Sequence, residues 1–172
     1  AVLSGFTITN GSGSQTLGGY NGGGISCTLN SSPSLKNLTI SYNTPNGLGG
    51  GVYCYNYSSP ILENILISNN SSNNSGGAIA LETYCSPSLD NVTIVNNTST
   101  GLGSIYLSNS YIDIVNSILW NNTTQEIYFF DINDPNSATI SYSNVLGGQD
   151  SIATNDNGTV TWGPGNIDVD PL

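Results

Sequence analysis

The residues of this chain that could take part in acid–base, metal or thiol chemistry are few, and most of them are acidic. Eleven Asp and Glu residues stand against one basic residue, Lys36, with no His or Arg, and the net charge is -10. Phosphate binding needs clustered Lys or Arg, so nucleic acid is not an expected partner. Membrane insertion is not expected either, because no apolar run approaches the roughly 18 residues of a spanning helix.

Two of the carboxylates, Glu63 and Asp90, stand at equivalent positions of a sequence repeat. If they lie on neighbouring turns of that repeat, their backbones are about 4.8 Å apart, which suits the carboxylate pair of a retaining glycosidase. A solvated strand face would not raise either pKa, so ordinary surface residues are the favoured interpretation. Glu82, Asp113 and Glu126 are interpreted as solubilising charges. A lyase would lack an evident base, because Lys36 is predicted to pair with Glu63.

Metal and cofactor sites are weakly indicated. A zinc site is not expected, because the chain has no His and no CxxC pair. Three Asp residues in predicted loops, Asp131, Asp134 and Asp156, offer hard oxygen ligands for Ca²⁺, although their spacing matches no EF-hand. Turn formation is the simpler role for them, so no cofactor is predicted and calcium stays an alternative.

Tyrosine is the residue type best suited to surface recognition, because it combines apolar area with a hydroxyl group. The chain has 10 of them. The alternation of the strand predicted around residues 52–55 places Tyr53 outward, and Tyr106 falls in the same column of the repeat. Tyr53, Tyr55 and Tyr106 are therefore the candidate recognition residues, with glycans or cell-surface proteins as possible partners.

The element that must position all these residues is a repeat between residues 22 and 97. Three blocks align in one register: GGGISC with SSPSLKNLTISYN, GGGVYC with SSPILENILISNN, and GGAIAL with CSPSLDNVTIVNN. The columns with a 27-residue spacing include Cys27, Cys54 and Leu81; Asn37, Asn64 and Asn91; and Asn43, Asn70 and Asn97. A fixed period in segments too short to bury a face alone is typical of a solenoid.

Each block predicts three short strands, separated by Gly runs and Ser-Pro pairs. No block holds a helical pattern, so the predicted fold is an all-β, right-handed parallel β-helix of six to seven rungs with about 27 residues per rung. We expect one domain over residues 1–172. Residues 1–24 would form an N-terminal rung and a Gly/Ser-rich loop, 25–145 the regular rungs, and 146–172 an irregular terminal rung.

The repeated columns have structural roles in this interpretation. The Cys27, Cys54 and Leu81 column is predicted to face inward, with free thiols favoured over a disulfide and the bridged form left open. The Asn residues of the two Asn columns are predicted to stack into hydrogen-bonded ladders. Asn43, Asn70 and Asn97 are further placed where the third strand ends in a left-handed or bent backbone.

The blocks GGGISC, GGGVYC and GGAIAL, each followed by the Asn-rich strands quoted above, resemble repeats of secreted bacterial right-handed parallel β-helix proteins of the pectate-lyase-like superfamily. The GGAI at 76–79 is similar to repeats of polymorphic outer-membrane adhesins. This resemblance covers roughly residues 1–145 and implies an exported bacterial protein, extracellular or at the cell surface. It indicates a fold rather than an activity, because the repeated residues are structural.

The sequence therefore predicts a non-enzymatic extracellular structural or adhesive module. Such a module could associate end to end into filaments, or form part of a surface stalk. The alternative is a carbohydrate-binding or carbohydrate-active domain that uses Tyr and Asp on one face. In both cases the function would lie in what does not repeat: the loops, the tyrosines and the ends.

Overall fold

The computed structural model describes residues 1–16, 19–123, 125–130, 135–156 and 158–171. Within these ranges the chain is an all-β parallel solenoid, as the repeat predicts. The single helical segment among the described residues is the 3₁₀ turn at Gly148–Ser151. The strand pairs between rungs are parallel, and an antiparallel hairpin links β3 (Ser14–Thr16) to β4 (Gly19–Asn21) in the loop between the first two rungs.

One wall of the solenoid, which we call the first sheet, contains six parallel strands. From the N-terminal end they are β5 (Ile25–Thr28), β8 (Val52–Tyr55), β11 (Ile79–Glu82), β14 (Ile105–Ser108), β17 (Ile127–Phe129) and β20 (Ile152–Ala153). Cys27, Cys54, Leu81 and Leu107 are register partners on this wall. All four are buried, so this column faces inward as predicted.

The second wall contains seven parallel strands in one order. They are β1 (Val2–Ser4), β6 (Ser34–Lys36), β9 (Ile61–Ser68), β12 (Ser88–Val95), β15 (Tyr111–Val115), β18 (Asn136–Ser141) and β21 (Gly158–Trp162). One inward column runs through all of them as Leu3, Leu35, Leu62, Leu89, Ile114, Ile140 and Trp162. A continuous apolar column of this kind supplies the burial that stabilises the stack.

The third wall continues from the second through a corner. Its strands are β2 (Thr7–Thr9), β7 (Thr39–Ser41), the ends of β9 and β12, β16 (Ile118–Trp120) and β19 (Asn144–Val145). A short outer pair, β10 (Ser71–Ser72) with β13 (Thr98–Ser99), follows it. In β9 and β12 the predicted second and third strands merge into eight-residue strands. The corner inside each merged strand is a left-handed residue, Asn64 or Asn91, both with φ of 56°.

The repeat length varies along the stack. Leu35, Leu62 and Leu89 are successive register partners at equal spacing, whereas Leu89 pairs with Ile114 after a shorter rung. The longest spacing, from Leu3 to Leu35, includes the β3–β4 hairpin. Insertions in a solenoid fall between stacked strands, so the inward columns stay in register despite these changes.

Candidate functional site

The inward Asn column is a continuous hydrogen-bonded ladder. Asn43 donates from its backbone N and from Nδ2 to Oδ1 of Asn70, at 3.0 and 2.9 Å. Asn70 does the same to Asn97 at 3.0 and 3.0 Å, and Asn97 to Asn122 at 2.8 and 3.0 Å. Asn43, Asn70 and Asn97 are at most 1% exposed. These amides therefore satisfy one another and do not form a ligand site.

The prediction that the ladder Asn residues themselves have a left-handed backbone is wrong, because the left-handed residue lies one position earlier in the chain. The left-handed positions are Asn69 and Asn96, with φ of 55° and 56°, and Tyr42 in the rung before them. Each left-handed residue turns the chain so that the next side chain, the ladder Asn, points inward. Asn tolerates this conformation better than most residues, which explains the Asn-Asn pairs of the sequence.

Glu126 terminates the ladder. Asn122 donates from its backbone N to Oε1 of Glu126 at 3.3 Å and from Nδ2 to Oε2 at 2.7 Å. Glu126 is 3% exposed, and burial raises its pKa to about 7, although the bonds from Asn122 oppose the shift. Its interpretation as a solubilising charge is therefore wrong. Glu126 also lines a cavity of about 330 Å³ together with Asp150.

A second row of Asn residues follows the outer corner of the solenoid. Asn37, Asn64 and Asn91 are exposed and left-handed. Nδ2 of Asn91 donates to Oδ1 of Asn64 at 2.6 Å, and Nδ2 of Asn64 to Oδ1 of Asn37 at 3.4 Å. This row is a ladder, as predicted, but it lies in solvent and also forms the corner between two walls.

Another inward row is hard to find in the sequence, because its residue type changes from rung to rung. Ser31 donates its backbone N–H to Oγ of Ser58 at 3.1 Å, Cys85 to Oγ of Ser110 at 3.2 Å, and Ser110 to Oδ1 of Asn136 at 3.0 Å. These three acceptors share a short side chain with an oxygen atom, and Cys85, which accepts from the backbone N–H of Ser58, continues the row with a sulfur atom. The Ser-Pro pairs mark the turn where this row lies, and its Cys85 is fully buried.

Two of the three candidate recognition tyrosines are not available at the surface. Tyr53 and Tyr106 point away from the solenoid interior but are only 1% and 6% exposed, because both belong to a second apolar cluster outside the core, which also contains Leu48. Leu48 belongs to a loop that folds back over the first sheet, and its backbone N donates to Oδ1 of Asn21 at 2.7 Å. The period-2 pattern gives the direction of a side chain and does not show which loop covers it.

Glu82 lies beside these tyrosines as a partly buried carboxylate, and its interpretation as a solubilising charge is wrong. The Tyr53 hydroxyl donates to Oε2 of Glu82 at 2.7 Å, and burial raises the pKa of Glu82. Burial and Glu82 also raise the pKa of Tyr53. Tyr55, the third candidate, is partly exposed and stacks on Tyr53 with ring centroids 6.2 Å apart. This cluster is a packed outer layer with Tyr55 at its border.

Tyr57 and Tyr84 form an exposed aromatic pair. These residues are 54% and 39% exposed, and their rings stack with centroids 5.2 Å apart. Both have left-handed backbones, with φ of 60°, which turns them outward at the corner after the first sheet. This exposed pair is better placed for recognition than Tyr53 or Tyr106.

The two residues of the predicted carboxylate pair, Glu63 and Asp90, each contact a different side chain. Nζ of Lys36 lies 2.6 Å from Oε2 of Glu63, with the two side chains 41% and 38% exposed. Oδ1 of Asp90 accepts a hydrogen bond from Nδ2 of Asn116 at 2.9 Å. These contacts agree with the surface interpretation, in which neither carboxylate is desolvated.

The calcium prediction depends mostly on residues outside the described part of the chain. Asp131 and Asp134 lie there, while Asp156 is an exposed turn residue with φ of 57°. Among the described residues, no group of three His, Cys, Asp or Glu side chains is placed to hold a metal ion. Calcium binding stays a prediction. No helix in the described ranges is long and apolar enough to cross a membrane.

Both ends of the stack leave core residues partly open. At the N-terminal end, Leu3, Ile8 and Ile25 pack against the core but are only partly buried, and at the C-terminal end Val160 and Trp162 do the same. Phe6 occupies the position of buried Leu38 in the next rung, yet it is 59% exposed. A cavity of about 450 Å³ at the N-terminal end is lined by Leu3, Ile25 and Cys27 among others.

Comparison with known proteins gives one positive finding. A family model described as a right-handed β-helix region matches residues 23–163. No curated protein and no solved structure matches the chain. Because the matched residues make up most of the 172-residue chain, this protein belongs to the right-handed β-helix family.

Proposed function

We propose that this chain is a non-enzymatic structural or adhesive module of an extracellular or cell-surface protein, which extends by stacking further β-helix turns on its ends. A second copy of the chain is the partner in the self-assembling form. In a stalk, the chain would instead stack on neighbouring turns of a longer polypeptide. The resemblance of the GGAI repeats to those of surface adhesins supports the proposed location.

The observation that carries the proposal is the partial exposure of inward columns at both ends. Among the described residues, β5 and β1 each end a sheet order and have a strand on one side only. Their inward residues, together with Phe6 at the corner between β1 and β2, form an apolar end surface. Unpaired strand edges above an apolar surface favour strand addition, and a head-to-tail contact between identical chains propagates into a filament.

The rest of the molecule supports a structural role. The polar residues that repeat along the core form ladders with their neighbours, and the predicted acid pair, Glu63 and Asp90, lies at the surface with other partners. Acid–base catalysis needs groups whose pKa values are matched to their task. The buried acid Glu126 has its two oxygens engaged by Asn122, so its local role is to close the Asn ladder.

The test compares two apolar-to-acid substitutions at exposed positions. Phe6→Asp places a charge on the N-terminal end surface, whereas Ile61→Asp places one on a lateral face, where Ile61 is 53% exposed. We expect the parent chain and Ile61→Asp to form concentration-dependent oligomers by sedimentation velocity and short filaments by electron microscopy. Phe6→Asp should shift both toward monomer. A parent chain that stays monomeric at every concentration would contradict the filament form.

A second candidate function is carbohydrate binding through Tyr57 and Tyr84. Their exposure favours it, because a tyrosine offers apolar area together with a hydroxyl group for hydrogen bonds to a sugar. A glycan array with the parent chain and with Tyr57→Ala/Tyr84→Ala tests it, with Tyr42→Ala as the control at an unrelated exposed tyrosine. Loss of a signal in the double variant alone supports the candidate. No signal from the parent chain contradicts it.

A further inference from the structure

Two cysteines are in direct register near the N-terminal end. Cys27 of β5 and Cys54 of β8 are Cα partners on adjacent parallel strands, and both side chains point into the core. The two thiols form a hydrogen bond with each other. Adjacent strands are about 4.8 Å apart, within the roughly 4.4–6.8 Å range of Cα separations in disulfides. Both cysteines are free in this structure.

The pair can be reached from one side. Cys27 is 3% exposed and lines the cavity of about 450 Å³ at the N-terminal end, whereas Cys54 is fully buried one rung below it. Because β5 has a neighbouring strand on one side only among the described residues, it can shift toward β8 more easily than an interior strand can. A reagent in the cavity therefore meets Cys27 first.

The hydrogen bond makes the two thiols chemically unequal. The bond from the Cys54 thiol lowers the pKa of Cys27, while the same interaction and burial raise the pKa of Cys54. The thiolate is the nucleophile in disulfide exchange, and Cys27 is the thiol of the pair that lines the cavity, so Cys27 is the attacking group. Cys85 differs from Cys27 in its hydrogen-bond partner and in its pKa. Its Sγ donates to the backbone O of Glu82 at 3.2 Å, and burial raises its pKa to about 11.

We propose that Cys27 and Cys54 form a dithiol site, which a small organic disulfide entering the end cavity oxidises to a disulfide between two rungs. The Cys27 thiolate attacks one sulfur of the reagent, forming a mixed disulfide and releasing one thiolate, which takes up a proton. Cys54 then loses its proton and attacks the Cys27 sulfur, releasing the second thiol. The two protein thiols lose two electrons and two protons, and the reagent gains them.

The disulfide would fasten the end strand of the first sheet to the core. It would close the loop between Cys27 and Cys54, which is one full rung of the solenoid, and so restrict the unfolded chain. An exported protein meets oxidising conditions in which such pairs form and persist. The proposal concerns two residues of one chain, and it needs the N-terminal cavity to be uncovered, so the oxidation precedes any stacking on that end.

The experiment uses the intact chain with 2-hydroxyethyl disulfide as the reagent. We expect the mass of the folded protein to fall by two hydrogens, peptide mapping to join Cys27 to Cys54, and Tm to rise by about 5–10 °C. Cys85→Ser is the matched control and should react like the parent chain. Cys54→Ser should stop at the mixed disulfide on Cys27, and Cys27→Ser should not react while folded.

A second measurement tests the inequality of the thiols. Labelling of Cys27 by iodoacetamide should begin at a lower pH in the parent chain than in Cys54→Ala, because Ala has no group that can donate to the Cys27 thiolate. Three results would overturn the proposal: no oxidation of the folded parent chain, a disulfide that includes Cys85, or identical labelling profiles with and without Cys54. The mapping on the parent chain stands even if a variant fails to fold.

Discussion

The two Asn ladders use the same residue type at the same spacing, yet they lie in opposite environments. Asn70 of the inner ladder is 1% exposed and donates twice to Asn97, at 3.0 and 3.0 Å. Asn64 of the outer row is exposed and is joined to its neighbours through single side-chain bonds. An amide without a partner costs most where water cannot replace the bond. Burial, rather than periodicity, therefore decides which ladder stabilises the fold.

The largest effect is expected from Asn70→Ala. The substitution leaves the backbone N–H of Asn43 and the carbonyl O of Ile40 without these partners inside the core, whereas Oδ1 of Asn97 keeps its bond from the backbone N–H at position 70. Two unsatisfied buried groups correspond to about 4 kcal/mol of lost unfolding free energy. Urea denaturation measures this, with the midpoint falling at an unchanged m-value. A loss below about 1 kcal/mol, the net value of one ordinary hydrogen bond, would mean that the inner ladder is no more important than the outer row.

Glu126 makes the inner ladder sensitive to pH, whereas the described residues of the outer row include no such group, because Glu126 places a buried carboxylate where the inner ladder ends. Its folded pKa is raised from 4.5 to about 7. The protonated form is favoured in the folded state, so its contribution to stability is complete below about pH 4.5 and is lost as pH rises to about 7. Unfolding free energy should fall by about 3 kcal/mol across this window.

Glu126→Gln is the matched variant for this measurement, because it keeps the side-chain shape and removes the titration. Denaturation at several pH values should show the fall in the parent chain and a flatter profile in Glu126→Gln. Asp90→Asn is the control, because it removes one carboxylate at an exposed position. Equal slopes in the parent chain and Glu126→Gln would show that Glu126 does not close the ladder as a desolvated acid.

The sequence predicts the repeated columns of this molecule but not the residues that interrupt them. The columns of Leu35 and Leu62 and the spacing of Asn43 and Asn70 follow from a period that stacking imposes on the chain. Glu126 could not be found in this way, because it closely follows Asn122 in the chain instead of lying one repeat later. Nor could the burial of Tyr53, since the position that Leu48 occupies is Asn21 in the rung before it and Ser75 in the rung after it, so its residue type does not repeat.

Two substitutions in the outer Asn row distinguish the effect of backbone conformation on stability from the effect of hydrogen bonding. Asn64 has φ of 56°, a conformation that costs an ordinary L-residue about 1 kcal/mol or more and Gly little. Asn64→Ala should therefore lose about 1 kcal/mol of unfolding free energy. Asn64→Gly also lacks the amide but should lose only about 0.5 kcal/mol, from the added freedom of the unfolded chain. If both variants lose the same amount, the exposed ladder bonds matter more than the corner does.

The smallest effect is expected next to that row, at the ion pair of Lys36 and Glu63. The 2.6 Å contact joins two side chains that are 41% and 38% exposed, so water and salt screen it. Lys36→Met keeps the aliphatic stem and should change unfolding free energy by about 0.5 kcal/mol or less. The change should shrink further in about 0.5 M NaCl if it is electrostatic. A loss that is large and independent of salt would show that the Lys36 stem packs on the wall, so that the outer face stabilises the stack by contact rather than by charge.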